Sequence, residues 1–82
     1  MKKNSLRGSL SNAVELSVQQ YFEQLNGEKV TGIYDMVLRE TERPLLEVTM
    51  TQTQGNQTRA AKMLGINRNT LRKKLTLYGL DK

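Results

Sequence analysis

The chain has 82 residues, 37% of them hydrophobic and 26% charged, with a formal net charge of +5 and neither cysteine nor histidine. A single domain with a small core fits that length, and disulfides and the usual zinc frameworks are excluded because their ligands are missing. Apolar runs stop at two or three residues, too short for a membrane span or the apolar region of a signal peptide, so the expectation is a soluble, cytoplasmic protein with no membrane partner.

Residues 1–8 carry Lys2, Lys3 and Arg7 without apolar periodicity, which predicts a flexible basic tail. From Ser9 to Asn26 the apolar residues Leu10, Val14, Val18, Phe22 and Leu25 recur at intervals of three and four, the pattern of one buried helical stripe. Ser9 is a suitable N-cap, and Asn26-Gly27 a strong stop. A second long helix is predicted from about Thr31 to Thr53, with Ile33, Val37, Leu38, Leu45 and Val48 inward and Tyr34 and Leu46 flanking them. Pro44 falls inside it, where it removes one hydrogen bond and crowds the carbonyl of Glu40. The periodicity resumes in phase beyond the proline, so one kinked helix is expected rather than two.

After Gly55 the pattern changes to two short helices across a tight turn. Ala60, Ala61 and Leu64 fall on the first, Ile66 in the corner, and Leu71 and Leu75 on the second, as a helix-turn-helix requires. Small side chains suit the helix crossing, and Ala60-Ala61 provides them. Asn56 is placed to cap the first of these helices and Asn67 the second. Gly65 suits a left-handed helix end, and Gly79 a second one, with Leu80 folding back toward Leu75. Arg68, Asn69, Thr70, Arg72, Lys73 and Lys74 are left outward.

The charge is unevenly placed. Residues 1–50 carry six Lys/Arg against seven Asp/Glu, a net −1, whereas residues 51–82 carry seven against one, a net +6. A basic module joined to a near-neutral assembly module is the expected footprint of nucleic-acid binding. The residue types agree: Arg bridges guanine O6 and N7, Asn bonds base edges, and hydroxyls and ammonium groups suit phosphate oxygens. Two stripes this wide lack partner surface within one chain, which predicts a homodimer whose shared core holds Val14, Val18, Phe22, Val37, Leu45 and Val48. The expected organisation is all-α with four helices: a tail at 1–8, two long dimerisation helices within 9–54, and a helix-turn-helix within 55–82, forming one domain.

The run from Asn56 to Ala61, then Leu64 to Arg68, Thr70 to Leu75 and Tyr78-Gly79, closely resembles the Fis family of bacterial nucleoid proteins. Upstream, Tyr21-Phe22, Gln24 to Gly27, Tyr34, Val37-Leu38, Glu42 and Pro44 to Leu46 extend the resemblance over roughly residues 10–80. It implies a homodimer of four-helix subunits that binds degenerate sites in double-stranded DNA and bends them, with RNA polymerase as a candidate partner and the nucleoid as location. Position by position, it implies base-edge contacts from Asn67 and Arg68. Asn56, Thr58, Thr70, Arg72, Lys73 and Lys74 match positions on or beside the DNA backbone, and Arg59 and Asn69 adjoin them. Gln54, Thr76 and Leu77 stand where the family often carries basic residues, and Asn69 where it often has glycine. Only Met1 to Ser9 precede the first stripe, too few for the arm with which the family touches DNA invertases.

Two alternatives share parts of this pattern. The DNA-binding tails of sigma-54-dependent enhancer-binding activators look much like residues 54–78, and a helical interaction module that never touches DNA is the other. An enzyme is not expected, nor any cofactor or small-molecule substrate. Without His or Cys, catalysis would rest on carboxylates, and Glu15, Glu23, Asp35, Glu40, Glu42 and Glu47 show neither a glycine-rich cradle nor metal-ligand spacing.

Overall fold

Four helices make up the computed structural model, which describes the backbone of residues 2–81 and the side chains from Leu6 to Asp81: α1 (Lys2–Gln24), α2 (Ile33–Gln52), α3 (Gln57–Leu64) and α4 (Arg68–Leu77). No strand occurs among the described residues, nor any helix long and apolar enough to cross a membrane. The chain divides into two compact units, Met1–Val37 and Leu38–Lys82.

In the first unit, α1 starts at Lys2, so the expected cap at Ser9 is corrected: Ser9 lies inside the helix, as does Gly8. The physical reason is that Lys, Asn, Leu and Arg all tolerate helix and one interior glycine costs only about 0.5–1 kcal/mol, too little to stop propagation. Met1 of the predicted tail and the side chains of residues 2–5 lie outside the described residues. Val14, Val18, Tyr21 and Leu25 are half-buried at 4-3-4 spacing, while Leu10 and Phe22 are exposed, so Tyr21 takes the stripe position the sequence reading gave to Phe22. The two rings meet edge to face, with centroids 6.3 Å apart. Asn26 and Gly27, at φ 52° and 82°, end the element as expected.

The second unit holds every fully buried side chain among the described residues. Leu46, Ala60, Ala61, Leu71, Leu75 and Tyr78 form its apolar centre, with Met50, Leu64, Ile66 and Leu80 packed around it. The helix-turn-helix seam is as its spacing predicts. The second half of α2 completes it, and does so through Leu46, which the sequence reading set beside the apolar stripe. Leu46, Thr49 and Thr53 are buried, whereas Leu45 and Val48 are 51% and 60% exposed. Residues 46, 49 and 50, continued by Thr53 just past the helix end, make a narrow stripe rotated from that of Leu45 and Val48, so α2 has two faces. Its polar members cost little, because the Thr49 hydroxyl donates to the Leu45 carbonyl at 2.8 Å and the Thr53 hydroxyl to that of Thr49 at 3.0 Å. Pro44 stays within one continuous helix, as expected.

Candidate nucleic-acid interface

The ends of the short helices are built by the residues the spacing predicts. Asn56 Oδ1 accepts from the Arg59 N–H at 3.0 Å and caps α3; Asn67 Oδ1 accepts from the Asn69 N–H at 2.7 Å and caps α4. At the other end of α3, Gly65 takes φ 76° and the Ile66 N–H reaches back to the Ala61 carbonyl at 3.1 Å. After α4, the Gly79 N–H donates to Thr76 and the Leu80 N–H to Leu75 at 2.7 Å, the paired bonds of a Schellman ending. Three residues, Gly65 to Asn67, therefore join α3 to α4.

This geometry sorts the side chains of α4. Leu71, Leu75 and Tyr78 point inward at i, i+4 and i+7, and Arg68, Asn69, Thr70, Arg72 and Lys73 are exposed. Asn56, Thr58 and Arg59 are exposed at the start of α3. From Gln57 to Tyr78 the sequence has six Lys/Arg and no carboxylate, so the exposed face is cationic throughout. Asn67 is exposed, and with its oxygen committed to the cap it presents Nδ2 as a donor. Arg72 leans on Asn69, Nη2 to Oδ1 at 3.4 Å, which draws the guanidinium along the helix face.

Lys74 is placed differently from its neighbours. Its ammonium forms a 2.8 Å ion pair with Glu42 Oε2, and the other carboxylate oxygen of Glu42 accepts from the Tyr78 hydroxyl at 2.7 Å. Lys74 and Tyr78 together hold the Glu42 carboxyl below its ordinary pKa, against the smaller opposing effect of burial. Arg43 lies over the Tyr78 ring, 5.2 Å from its centre, and donates to the Tyr78 carbonyl at 3.1 Å. Sequence reasoning missed this cluster as a unit. Tyr78 had a legible signal, since it continues the Leu71–Leu75 stripe, but nothing local points to Glu42, 36 residues away.

Of the residues expected in a dimer core, Val14, Val18 and Val37 are half-buried within the chain, and Phe22, Leu45 and Val48 are at least half exposed. They belong to both compact units.

Two short capped helices joined by a three-residue turn, with a cationic outer face, define this as a helix-turn-helix protein. Residues 37–78 match the family model described as "Bacterial regulatory protein, Fis family". Over 72 residues, 88% of this chain and 74% of the relative, it is 56% identical to DNA-binding protein Fis of Vibrio cholerae and 54% identical to DNA-binding protein Fis of Proteus mirabilis. The chain belongs to the Fis family.

Proposed function

We propose that the chain is a homodimeric nucleoid-associated protein that binds degenerate sites in double-stranded DNA through α3 and α4, bends the duplex and so regulates transcription. The observation that carries this reading is the exposed face of α4, where Arg68, Asn69, Thr70, Arg72 and Lys73 stand together on a helix anchored by Leu71 and Leu75. A helix of that width enters the major groove, with its N-terminal residues at base edges. Arg68 then reads guanine, Asn67 donates from Nδ2 to a base acceptor, and Asn56, Thr58, Arg59, Asn69, Thr70, Arg72 and Lys73 hold or flank the phosphates. The action is binding without catalysis, and RNA polymerase is the partner through which occupancy would reach transcription.

Similarity over 72 residues runs well beyond the matched helix-turn-helix, which favours this reading over the tail of an enhancer-binding activator. Dimerisation is supported by the apolar side chains left uncovered in a single chain, Leu10, Phe22, Leu38, Leu45 and Val48. A twofold axis presents two recognition helices, and successive major grooves on straight DNA lie roughly 34 Å apart. If the paired helices sit closer than this, both enter only when the DNA bends and its central minor groove narrows.

The test uses duplexes with identical flanks and varied centres, measured for affinity and for bend by energy transfer. A·T-rich centres are expected to bind more tightly than G·C-rich ones although no side chain touches them, because bending costs about 1–6 kcal/mol and depends on local deformability. Affinity should fall roughly 10³–10⁵-fold between about 50 and 200 mM salt if about 6–10 phosphates are engaged. Straight bound DNA with affinity indifferent to the centre would leave a simple operator-binding helix-turn-helix as the better reading.

A further inference from the structure

The cations of the α3–α4 face are not equivalent. Arg68, Arg72 and Lys73 are exposed, whereas the Lys74 ammonium lies 2.8 Å from Glu42 Oε2 and its side chain is only 34% accessible. Glu42 belongs to α2, not to the helix-turn-helix itself, and its second oxygen is taken by the Tyr78 hydroxyl at 2.7 Å. Both partners stand in the last turn of α4 or just after it, and Arg43, the next residue of α2, closes over the Tyr78 ring and its carbonyl. Two consecutive residues of α2 thus grip one end of α4 by four polar or cation–π contacts, while the opposite end carries Arg68 and the Asn67 cap.

We propose that Glu42 is a positioning residue for DNA recognition, holding Lys74 as an internal counterion and, with Tyr78 and Arg43, pinning the C-terminal end of the recognition helix to α2. The inference rests on the DNA-binding reading above and deepens it. Three physical consequences follow. Lys74 gives up its charge to a carboxylate and releases no DNA counterion, so it does not count among the phosphate contacts that set salt dependence. The end of α4 farthest from the base-reading residues is clamped, which fixes the angle at which Arg68 is presented; bidentate recognition tolerates little angular error. Glu42 is the carboxylate paired with Lys74 at 2.8 Å, so loss of its charge frees Lys74 for phosphates of any sequence.

The experiment measures the affinity of the full chain for a specific and a scrambled duplex as a function of salt, for wild type, Glu42→Gln, Lys73→Ala, Lys74→Met and the double variant Glu42→Gln/Lys74→Met. Lys73→Ala should lower the salt slope by about one per half-site, and Lys74→Met by less than half as much. Glu42→Gln should raise the slope by up to about one per half-site, tighten binding to scrambled DNA and reduce the ratio of specific to scrambled affinity at least several-fold; adding Lys74→Met should remove the extra slope without restoring the ratio. A Lys74→Met variant whose slope falls as far as that of Lys73→Ala overturns the proposal, because Lys74 would then be an ordinary phosphate contact.

A DNA-independent arm separates this outcome from failure of the DNA-binding reading. Thermal unfolding of Glu42→Ala, Tyr78→Phe and their combination should give losses that are less than additive, since both remove the hydrogen bond between Tyr78 and Glu42. Strictly additive losses overturn the clamp whatever the protein binds. Coupled losses together with no duplex binding by wild type would refute the proposed function and, with it, the role in recognition.

Discussion

At the residue scale the proposed function divides the labour of α4 between neighbours of similar charge. Arg68 stands in the first turn of α4, next to the cap, where the proposal has its guanidinium read a base edge; Lys73 faces outward one and a half turns later. Replacing Arg68 by Ala should cost roughly 1–3 kcal/mol per half-site on specific DNA and relax sequence preference, while Lys73→Ala should weaken all duplexes nearly alike. Competition between specific and scrambled DNA decides it, and equal losses for Arg68→Ala on both would remove its base-reading role. Glu42 supplies a second prediction at this scale. Its carboxyl is held below its ordinary pKa first by the hydrogen bond from Lys74, then by that from Tyr78. A folded-state value below the unfolded one means that the contribution is fully present above about pH 4.3, the ordinary glutamate value, and is lost as pH falls through the depressed folded value. Wild-type stability should therefore decline on acidification below that point, and Glu42→Gln should flatten part of the decline. Superimposable acid limbs in urea unfolding from pH 5 to pH 2.5 would show that the pair stabilises nothing.

At the element scale the chain reuses one device with different residues. The ends of α2, α3 and α4 all turn through left-handed backbone, at Gln54 (φ 55°) with Gly55 (φ 84°), at Gly65 (φ 76°) and at Gly79 (φ 70°). The Gly55 N–H closes the first of these by donating to the Met50 carbonyl at 2.9 Å. A Cβ added at Gly65 would meet no atom within 4 Å, so Gly65→Ala carries backbone strain alone, about 1–2 kcal/mol. Gln54 bears that strain in the native sequence, and Gln54→Gly should stabilise the fold by up to about 1 kcal/mol. Chemical denaturation of both variants tests the pair of signs, and destabilisation by Gln54→Gly would mean that its side chain contributes more than its conformation costs. Pro44 shows the other side of element-level competition. Its helix-breaking cost, about 3 kcal/mol, is outweighed by the burial of Leu46, two residues on, and of Thr49 beyond it, so α2 stays continuous.

For the whole molecule the decisive feature is the two-sided character of α2. One face, through Leu46, Thr49 and Met50 and continued by Thr53 just past the helix, completes the helix-turn-helix core; the other, through Leu38, Leu45 and Val48, is uncovered. The proposed homodimer would bury that uncovered face. Val48→Asp would then place an unpaired carboxylate in a dry interface, shifting the chain from dimer toward monomer and lowering thermal stability in a concentration-dependent way. Sedimentation equilibrium is the direct measurement. A wild-type chain that stays a folded monomer at high micromolar concentration would refute a shared core.

The sequence by itself determined everything whose cause is local. The helix-turn-helix seam, the caps Asn56 and Asn67, the stops at Asn26-Gly27, Gly65 and Gly79, and the outward placing of Arg68, Asn69, Thr70, Arg72 and Lys73 all depend on residues within one or two turns, and the structure has them where the pattern put them. The start of α1 was misread because Ser9 is a good cap wherever a helix begins, yet nothing before it prevents the helix from continuing to Lys2. Only the tertiary structure decided which face of α2 meets the helix-turn-helix, since Leu45-Leu46 offers two equally apolar neighbours and burial chose Leu46. Only the tertiary structure, likewise, separated Lys74 from Lys73. Charge and helix position make the two alike, and what distinguishes them is a carboxylate on α2, 32 residues earlier in the chain, that packing brings to 2.8 Å from one and not the other.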